Sequence, residues 1–264
     1  MTHAWWLRTP IERLLVARLR RELKGLPTPA HLGLIMDGNR RWARSVGVDD
    51  IRFGHRAGAE HLDRVLTWCA QAGIDAVSVY VLSADNIAKR DDAQVNFLFH
   101  LLETLIPDRL RRPDGLWELH VAGNLDLVPD ATARALKEAI DATRGRPRRL
   151  TLAVGYDPYG DVVDAVRQVL WEAAERGDSA DDVARTLEPE AIDARVAAPD
   201  DDIDLIIRTS GERRLSGYFP WRSVRAELIF CDVYWPGFRE LDLLRALRTY
   251  ARRSQPTMTR RPRV

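Results

Sequence analysis

Chemistry-bearing residues in this sequence gather where apolar runs stop. "LIMDGNRRWAR" (residues 34–44) sets one acid, Asp37, ahead of Gly38, Asn39, Arg40, Arg41 and Arg44. Gly38 permits close backbone approach, and a helix that starts here aims its first N–H groups at an anion. Arginine's planar fork suits the oxygens of a phosphate. A carboxylate repels phosphate, so a bridging Mg²⁺ is the economical way to place Asp37 beside one. The competing reading is that Asp37 caps the helix and the arginines are solvated.

A second cluster, "RTSGERRLSG", runs from Arg208 to Gly217 and sets Arg208, Arg214 and Ser216 among small hydroxyl and glycine residues. It reads as a second oxyanion cradle, against the alternative of a polar surface loop. "SADN", Ser83 to Asn86, is equally an ordinary helix cap. Glu227, in "SVRAELIF", is an acid on an apolar segment and needs a partner, either a cation or an arginine. His55, in "FGHRAG", opens a helix; it is a cap or surface residue, or it meets phosphate or moves a proton. Two diphosphates and one Mg²⁺ would satisfy all of these groups. What carries the diphosphates does not follow from the residues alone.

The positioning elements alternate. Strand candidates lie at 31–36, 76–82, 117–122, 150–156, 204–209 and 227–233. Helical patterns fall near 56–72, 92–111, 130–144, 160–177, 179–197 and 239–253. Short apolar strands between helices predict an α/β fold with a largely parallel sheet covered on both faces. Ligands of such sheets bind beyond the carboxyl ends of the strands, where the clusters above fall. Before the first strand, Ile11, Leu15, Leu19 and Leu23 recur four apart from Pro10 to Lys24, an amphipathic helix. Packing on the domain is its first reading; Trp5 and Trp6 beside a basic helix keep a peripheral membrane contact as the second. The division expected is an N-terminal helix over 1–27, a catalytic domain over 28–253 and a basic, disordered tail over 254–264.

Composition narrows the class. The 264 residues carry 40 Lys and Arg against 39 Asp and Glu, a net charge of +1 that argues against a bulk nucleic-acid binder. Cys69 and Cys231 sit in apolar surroundings and read as reduced core residues. No apolar run approaches a membrane span and the N-terminus lacks a signal-peptide pattern, so the expected location is the cytoplasm.

Taken in order and spacing, "MDGNRRWAR", "FGHRAG", "SADN", "DLIIRTSGERRLSG" and "AEL" resemble the cis-prenyltransferases, the undecaprenyl diphosphate synthase family, over about residues 28 to 250. The likeness is strongest to short-chain (Z)-prenyl diphosphate synthases of actinobacteria. It implies a six-stranded, mostly parallel sheet around a hydrophobic tunnel, a homodimer, and condensation of isopentenyl diphosphate with an allylic diphosphate. Asp37, Asn39, Ser83 and Asn86 are then the catalytic set, and Asp37 with Glu227, the latter from or near the dimer partner's side, holds Mg²⁺. The allylic diphosphate falls to Gly38, Arg41, Trp42, Arg52 and His55, and isopentenyl diphosphate to Arg208, Arg214 and Ser216. Ionising an allylic diphosphate needs charge stabilisation on the leaving group, which a cation and arginines supply.

Three departures stand out. The usual acid of the "SxEN" loop is Asp85 and the tryptophan after it is Ile87; Lys89-Arg90 replaces Arg-Pro; and "YGGR" becomes "YDPYGD", Tyr156 to Asp161. The last motivates an alternative in which the allylic cation is captured by water or by an internal double bond, as in terpene synthases. A partner subunit without its own activity is a further alternative, opposed by Asp37 and the intact second cradle. Val81, Leu82, Phe97, Leu98 and Phe99 are either ordinary core packing or a stop to chain growth; the second reading predicts a C10 to C20 product rather than a long polyprenyl chain.

Overall fold

The structure is a computed structural model that describes residues 9–110, 112, 115–197 and 201–254. Six strands, β1 (His31–Ile35), β2 (Ala76–Ser83), β3 (Trp117–Ala122), β4 (Arg148–Tyr156), β5 (Leu205–Arg208) and β6 (Glu227–Phe230), form one sheet in the order β3-β4-β2-β1-β5-β6. Every pairing is parallel. From β1 the chain crosses to β2, then to the edge strand β3 and back to β4 between β3 and β2, before crossing to β5 and β6 on the other side of β1. The reversal therefore falls beside β1, and the carboxyl ends of β1 and β5 flank the place where open α/β sheets bind ligands.

Strand periodicity divides the apolar residues between two faces. Leu34, Leu205, Ile207, Leu152 and Val154 join a large cluster with the helices α3 (Ile51–Gln71), α5 (Asp92–Glu103), α7 (Asp130–Thr143) and α11 (Glu240–Ser254). Their neighbours Ile35, Ile206 and Ala153 face the other way, into a smaller cluster closed by Tyr156, Tyr218 and Phe219. Tyr218 reaches this position only because residue 33 has no side chain: a Cβ on Gly33 would lie 2.8 Å from the Tyr218 hydroxyl. That hydroxyl donates to the Ser78 carbonyl over 2.9 Å and so fastens the loop after β5 to the middle of β2.

Several boundaries differ from expectation. The pattern over 92–111 is two helices, α5 and α6 (Leu105–Leu110), and that over 179–197 is α9 (Ala180–Thr186) and α10 (Pro189–Asp193), the second beginning on a proline that cannot continue the first. Two short helices, α2 (Asn39–Ser45) and α4 (Ala84–Lys89), follow β1 and β2. Helix α1 (Pro10–Leu23) packs on α11, but its buried stripe is Glu12, Val16 and Leu19, while Ile11 is 71% and Leu15 39% exposed. Four-residue spacing advances 40° per step on a helix of 3.6 residues per turn, so the expected row winds off the contact face. Trp5, Trp6 and the tail from residue 255 lie outside the described residues. Among the described residues no helix is long and apolar enough to cross a membrane.

Candidate active site

Beyond Ile35 the chain reaches Asp37 and turns into α2 at Gly38, whose φ is +100°. A Cβ there would sit 2.7 Å from the Tyr234 ring, so both conformation and space demand glycine. The Asp37 carboxylate is shared. Oδ1 accepts from the Gly38 N–H at 2.7 Å and faces Arg41 at 3.4 Å; Oδ2 accepts from Arg208 at 2.9 Å. Burial alone would raise its pKa, but Arg208, the Gly38 amide and Arg41 outweigh that and lower it. Asp37 is thus a carboxylate in direct contact with arginines from both sequence clusters.

Arg208 is buried and organises the second cradle from inside. Its Nη1 donates to the Arg214 carbonyl at 2.5 Å and to Ser216 Oγ at 2.8 Å. Ser210 and Ser216, at φ +77° and +54°, hold left-handed conformations that cost a non-glycine residue about 1 kcal/mol or more, a strain repaid by the anchored loop. Arg41 donates to Ser210 Oγ at 2.8 Å, lies 3.6 Å from Glu212, and stacks over Tyr234. Glu212 also pairs with Arg214 at 2.5 Å.

Most of these groups line a cavity of about 600 Å³. Asp37, Gly38, Asn39, Arg40, Arg41, Arg44, His55, Asn86, Arg90, Arg208, Glu212, Arg214 and Ser216 make its polar wall. Leu62, Val81, Leu98, Leu101, Leu102, Ile106 and Leu152 make its apolar wall, supplied by α3, β2, α5, α6 and β4. Of the residues expected to limit product length, Val81 and Leu98 face this space, whereas Leu82 and Phe99 are core residues and Phe97 packs against the core.

His55 is buried, and its pKa is lowered to about 4 by burial and then by Arg90 and Arg40. Gln94 donates to its Nε2 at 3.0 Å, which fits a neutral ring with the proton on Nδ1. Asn39 begins α2 with its amide beneath Gly58, where a Cβ would come within 2.4 Å of Oδ1; that oxygen is buried with no hydrogen-bond donor among the described residues. Asn86 accepts from Arg90 Nε at 3.0 Å. Lys89 and Arg90 point in different directions: Lys89 pairs with Asp85 at the surface, while Arg90 is half-buried in the cavity wall, with no carboxylate paired to it among the described residues.

Four expected residues are not brought to the cavity. Trp42 is buried and stacks on Phe53, 5.6 Å between centroids. Arg52 is exposed and pairs with Asp50 at 3.0 Å. Ser83 caps α4 by accepting from the Asn86 N–H, and so acts on the loop rather than in the cavity. Glu227 opens β6 in register with Leu205, itself opposite Leu32 at the start of β1. At roughly 3.3 Å per residue it lies on the order of 15 Å from Asp37 along the strands, at the other end of the sheet, and it pairs with Arg253 at 2.7 Å. Within one chain Asp37 and Glu227 share no metal.

"YDPYGD" is accounted for by folding. Asp157 caps α8 (Pro158–Arg176), and Asp161 accepts from the Tyr156 hydroxyl at 2.9 Å and from the Ala197 N–H at 2.6 Å. Neither acid lines the cavity. Sequence reasoning missed Glu212 and Tyr234 as the braces of Arg41; the signal for Glu212 was an acid inside a basic motif, and Tyr234 had none.

Comparison with known proteins identifies relatives along nearly the whole chain. The profile described as "Putative undecaprenyl diphosphate synthase" matches residues 35–257. An isoprenyl transferase of Streptomyces fradiae is 48% identical, covering 92% of this chain and 95% of its own. A (2Z,6E)-farnesyl diphosphate synthase of Thermobifida fusca is 42% identical over 94% of this chain and 97% of its own. The crystal structure of lavandulyl diphosphate synthase from Lavandula x intermedia in complex with dimethylallyl diphosphate superposes with a TM-score of 0.78 at 27% identity, covering 85% of this chain and 95% of that one. With its six parallel strands, its cavity at the ends of β1 and β5, and these relatives along nearly its whole length, the chain belongs to the undecaprenyl diphosphate synthase family, the cis-prenyltransferases.

Proposed function

We propose that the chain condenses isopentenyl diphosphate with an allylic diphosphate, forming a short (Z)-prenyl diphosphate and releasing diphosphate. The observation that carries this reading is one cavity with two basic cradles at its polar end, joined through Asp37 and Arg208, and a leucine-rich wall at the other. The allylic group lies with its diphosphate toward Gly38, Arg41 and Arg90 and its hydrocarbon along Leu98, Leu101 and Leu102. Isopentenyl diphosphate occupies the loop of Arg208, Arg214 and Ser216, which brings the two reacting ends together over Asn39 and Asn86.

The donor set fits Mg²⁺. Asp37 is a hard oxygen donor facing the cavity, and among the described residues no group of three or more His, Cys, Asp or Glu forms a protein cage. Mg²⁺ commonly takes one or two carboxylates with substrate phosphate oxygens and water. When bound it neutralises charge on the departing diphosphate. The chain's own part is to hold Asp37 between the cradles, to supply donors to the diphosphate oxygens, and to keep water from the allylic carbon with the apolar wall. With His55 neutral and engaged by Gln94, the proton lost from the isopentenyl group goes to an oxygen of the released diphosphate, with the Asn39 amide beside it to orient that oxygen.

The active form in this reading is a homodimer. The outer edge of β6 is unpaired in the sheet, with Leu228, Ile229 and Phe230 only half-buried, and Glu227 is remote from its own Asp37. Ile11 and Leu14, turned outward on α1 among arginines, supply a peripheral contact with an anionic membrane surface, checked by vesicle flotation.

Incubation of the purified chain with labelled isopentenyl diphosphate and either geranyl or farnesyl diphosphate, followed by chromatography, tests the central claim. A C15 product from geranyl diphosphate or a C20 product from farnesyl diphosphate is expected. A dominant C50-class product sinks the short-chain reading, and turnover of the allylic substrate alone favours cation capture.

A further inference from the structure

Thr209 stands between Arg208 and Ser210, and these consecutive residues all reach across to the β1 end. Arg208 holds the Asp37 carboxylate and Ser210 accepts from Arg41. Thr209 does something different: its single hydroxyl engages both backbone groups of Asp37. Oγ1 donates to the Asp37 carbonyl at 2.7 Å and accepts from the Asp37 N–H at 3.0 Å. The residue is 1% exposed, so these bonds form in a water-poor setting where an unmade one is costly.

A hydroxyl has one proton and two lone pairs; its two short bonds close on Asp37 from both sides, and its contact with the Ile35 carbonyl is longer, at 3.4 Å. That fixes the plane from which the Asp37 side chain emerges, and with it the direction of the carboxylate. The fold does not depend on this hydroxyl alone. The Asp37 N–H also meets the Ile35 carbonyl at 3.0 Å, and the Asp37 carbonyl also accepts from the Trp235 N–H at 3.0 Å. Removing the hydroxyl leaves both groups a partner but releases the clamp.

The geometry points to Thr209 as a positioning residue that aims the Asp37 carboxylate at a divalent cation shared with the allylic diphosphate. This rests on the proposed function. Thr209 touches no substrate; it acts through Asp37.

The test uses the full chain, Thr209→Val, which keeps the shape and removes the hydroxyl, and Thr209→Ser, which keeps the hydroxyl and removes the methyl. The probe is an unreactive allylic thiodiphosphate, titrated calorimetrically with chelator and then with Mg²⁺. The wild-type chain and Thr209→Ser are expected to bind the probe more tightly with Mg²⁺. In Thr209→Val that Mg²⁺-dependent gain falls by about three- to tenfold, the size of one hydrogen bond, while affinity in chelator and the thermal transition stay near wild type. An undiminished gain in Thr209→Val overturns the inference, as does an equal loss in both variants, which assigns the effect to packing. If Thr209→Val fails to fold, Thr209→Ala takes its place with the same expectations. A wild-type chain that binds no diphosphate overturns the functional reading and this inference with it; wild-type linkage beside an unchanged variant overturns the inference alone.

Discussion

Arg208 Nη2 lies 2.9 Å from Asp37 Oδ2, so the acid of the first cradle and the buried arginine of the second form one ion pair. The two cradles are therefore electrostatically one object. Anything that draws Asp37 toward a cation also changes the charge felt by Arg208, and through its Nη1 the loop at Arg214 and Ser216.

Asp37→Ala is expected to lower condensation by at least a hundredfold and to leave Arg208 buried without its counter-charge. The second effect should cost about 1–3 kcal/mol of stability. Steady-state assay and thermal unfolding check both, and activity near wild type would refute the placement of Asp37.

Arg208→Lys keeps a positive charge but loses the fork that reaches Asp37, Arg214 and Ser216 together. The KM for isopentenyl diphosphate should rise about tenfold or more, with a smaller change for the allylic substrate. An effect confined to the allylic KM would reverse the two site labels.

Leu98→Ala deepens the apolar wall. The expected result is a product distribution shifted to longer chains by one or more isoprene units, read by chromatography, with a stability loss of about 2–5 kcal/mol. An unchanged product at unchanged occupancy would place the limit to growth elsewhere.

Acid should destabilise the fold through its buried histidines. His31, His55 and His61 have pKa values lowered to about 4, about 4 and about 3, in each case first by burial and then by a nearby arginine. The folded chain keeps them neutral while the unfolded chain protonates them below its ordinary value near 6.5. Stability is thus full above that pH and is lost as pH falls from 6.5 toward 4, by at most about 1.4 kcal/mol per pH unit for each histidine. Melting temperatures recorded between pH 7.5 and 4.5 check the sign, and His61→Phe, which fills the space between Trp68 and Trp235, should flatten the slope.

The parallel sheet was legible because each strand is a short apolar run closed by polar residues, and the two cradles because their side chains follow β1 and β5 directly. What the sequence concealed is direction. Asp37 and Glu227 look equivalent as acids on apolar strands, yet Asp37 follows its strand and Glu227 opens its own, which puts them at opposite ends of a parallel sheet. Lys89 and Arg90 are adjacent cations, and only the turn at the end of α4 decides which faces the cavity. Trp42 sits within a recognisable motif and Arg52 just ahead of one, but the fold turns the first into the core and the second to solvent. "YDPYGD" was conspicuous as a departure and proved to be a helix cap and a buried tyrosine–aspartate pair, chemistry spent on folding.

Gly33 sits in the middle of β1 and does not line the cavity, with the Tyr218 ring filling the space its side chain would take. Adding even one methyl group there would push Tyr218 outward and pull Ser216 and Arg214 with it. An interior strand position thus behaves, under substitution, as part of the substrate site: variation at residue 33 would register as lost affinity for isopentenyl diphosphate before it registered as an unfolded chain.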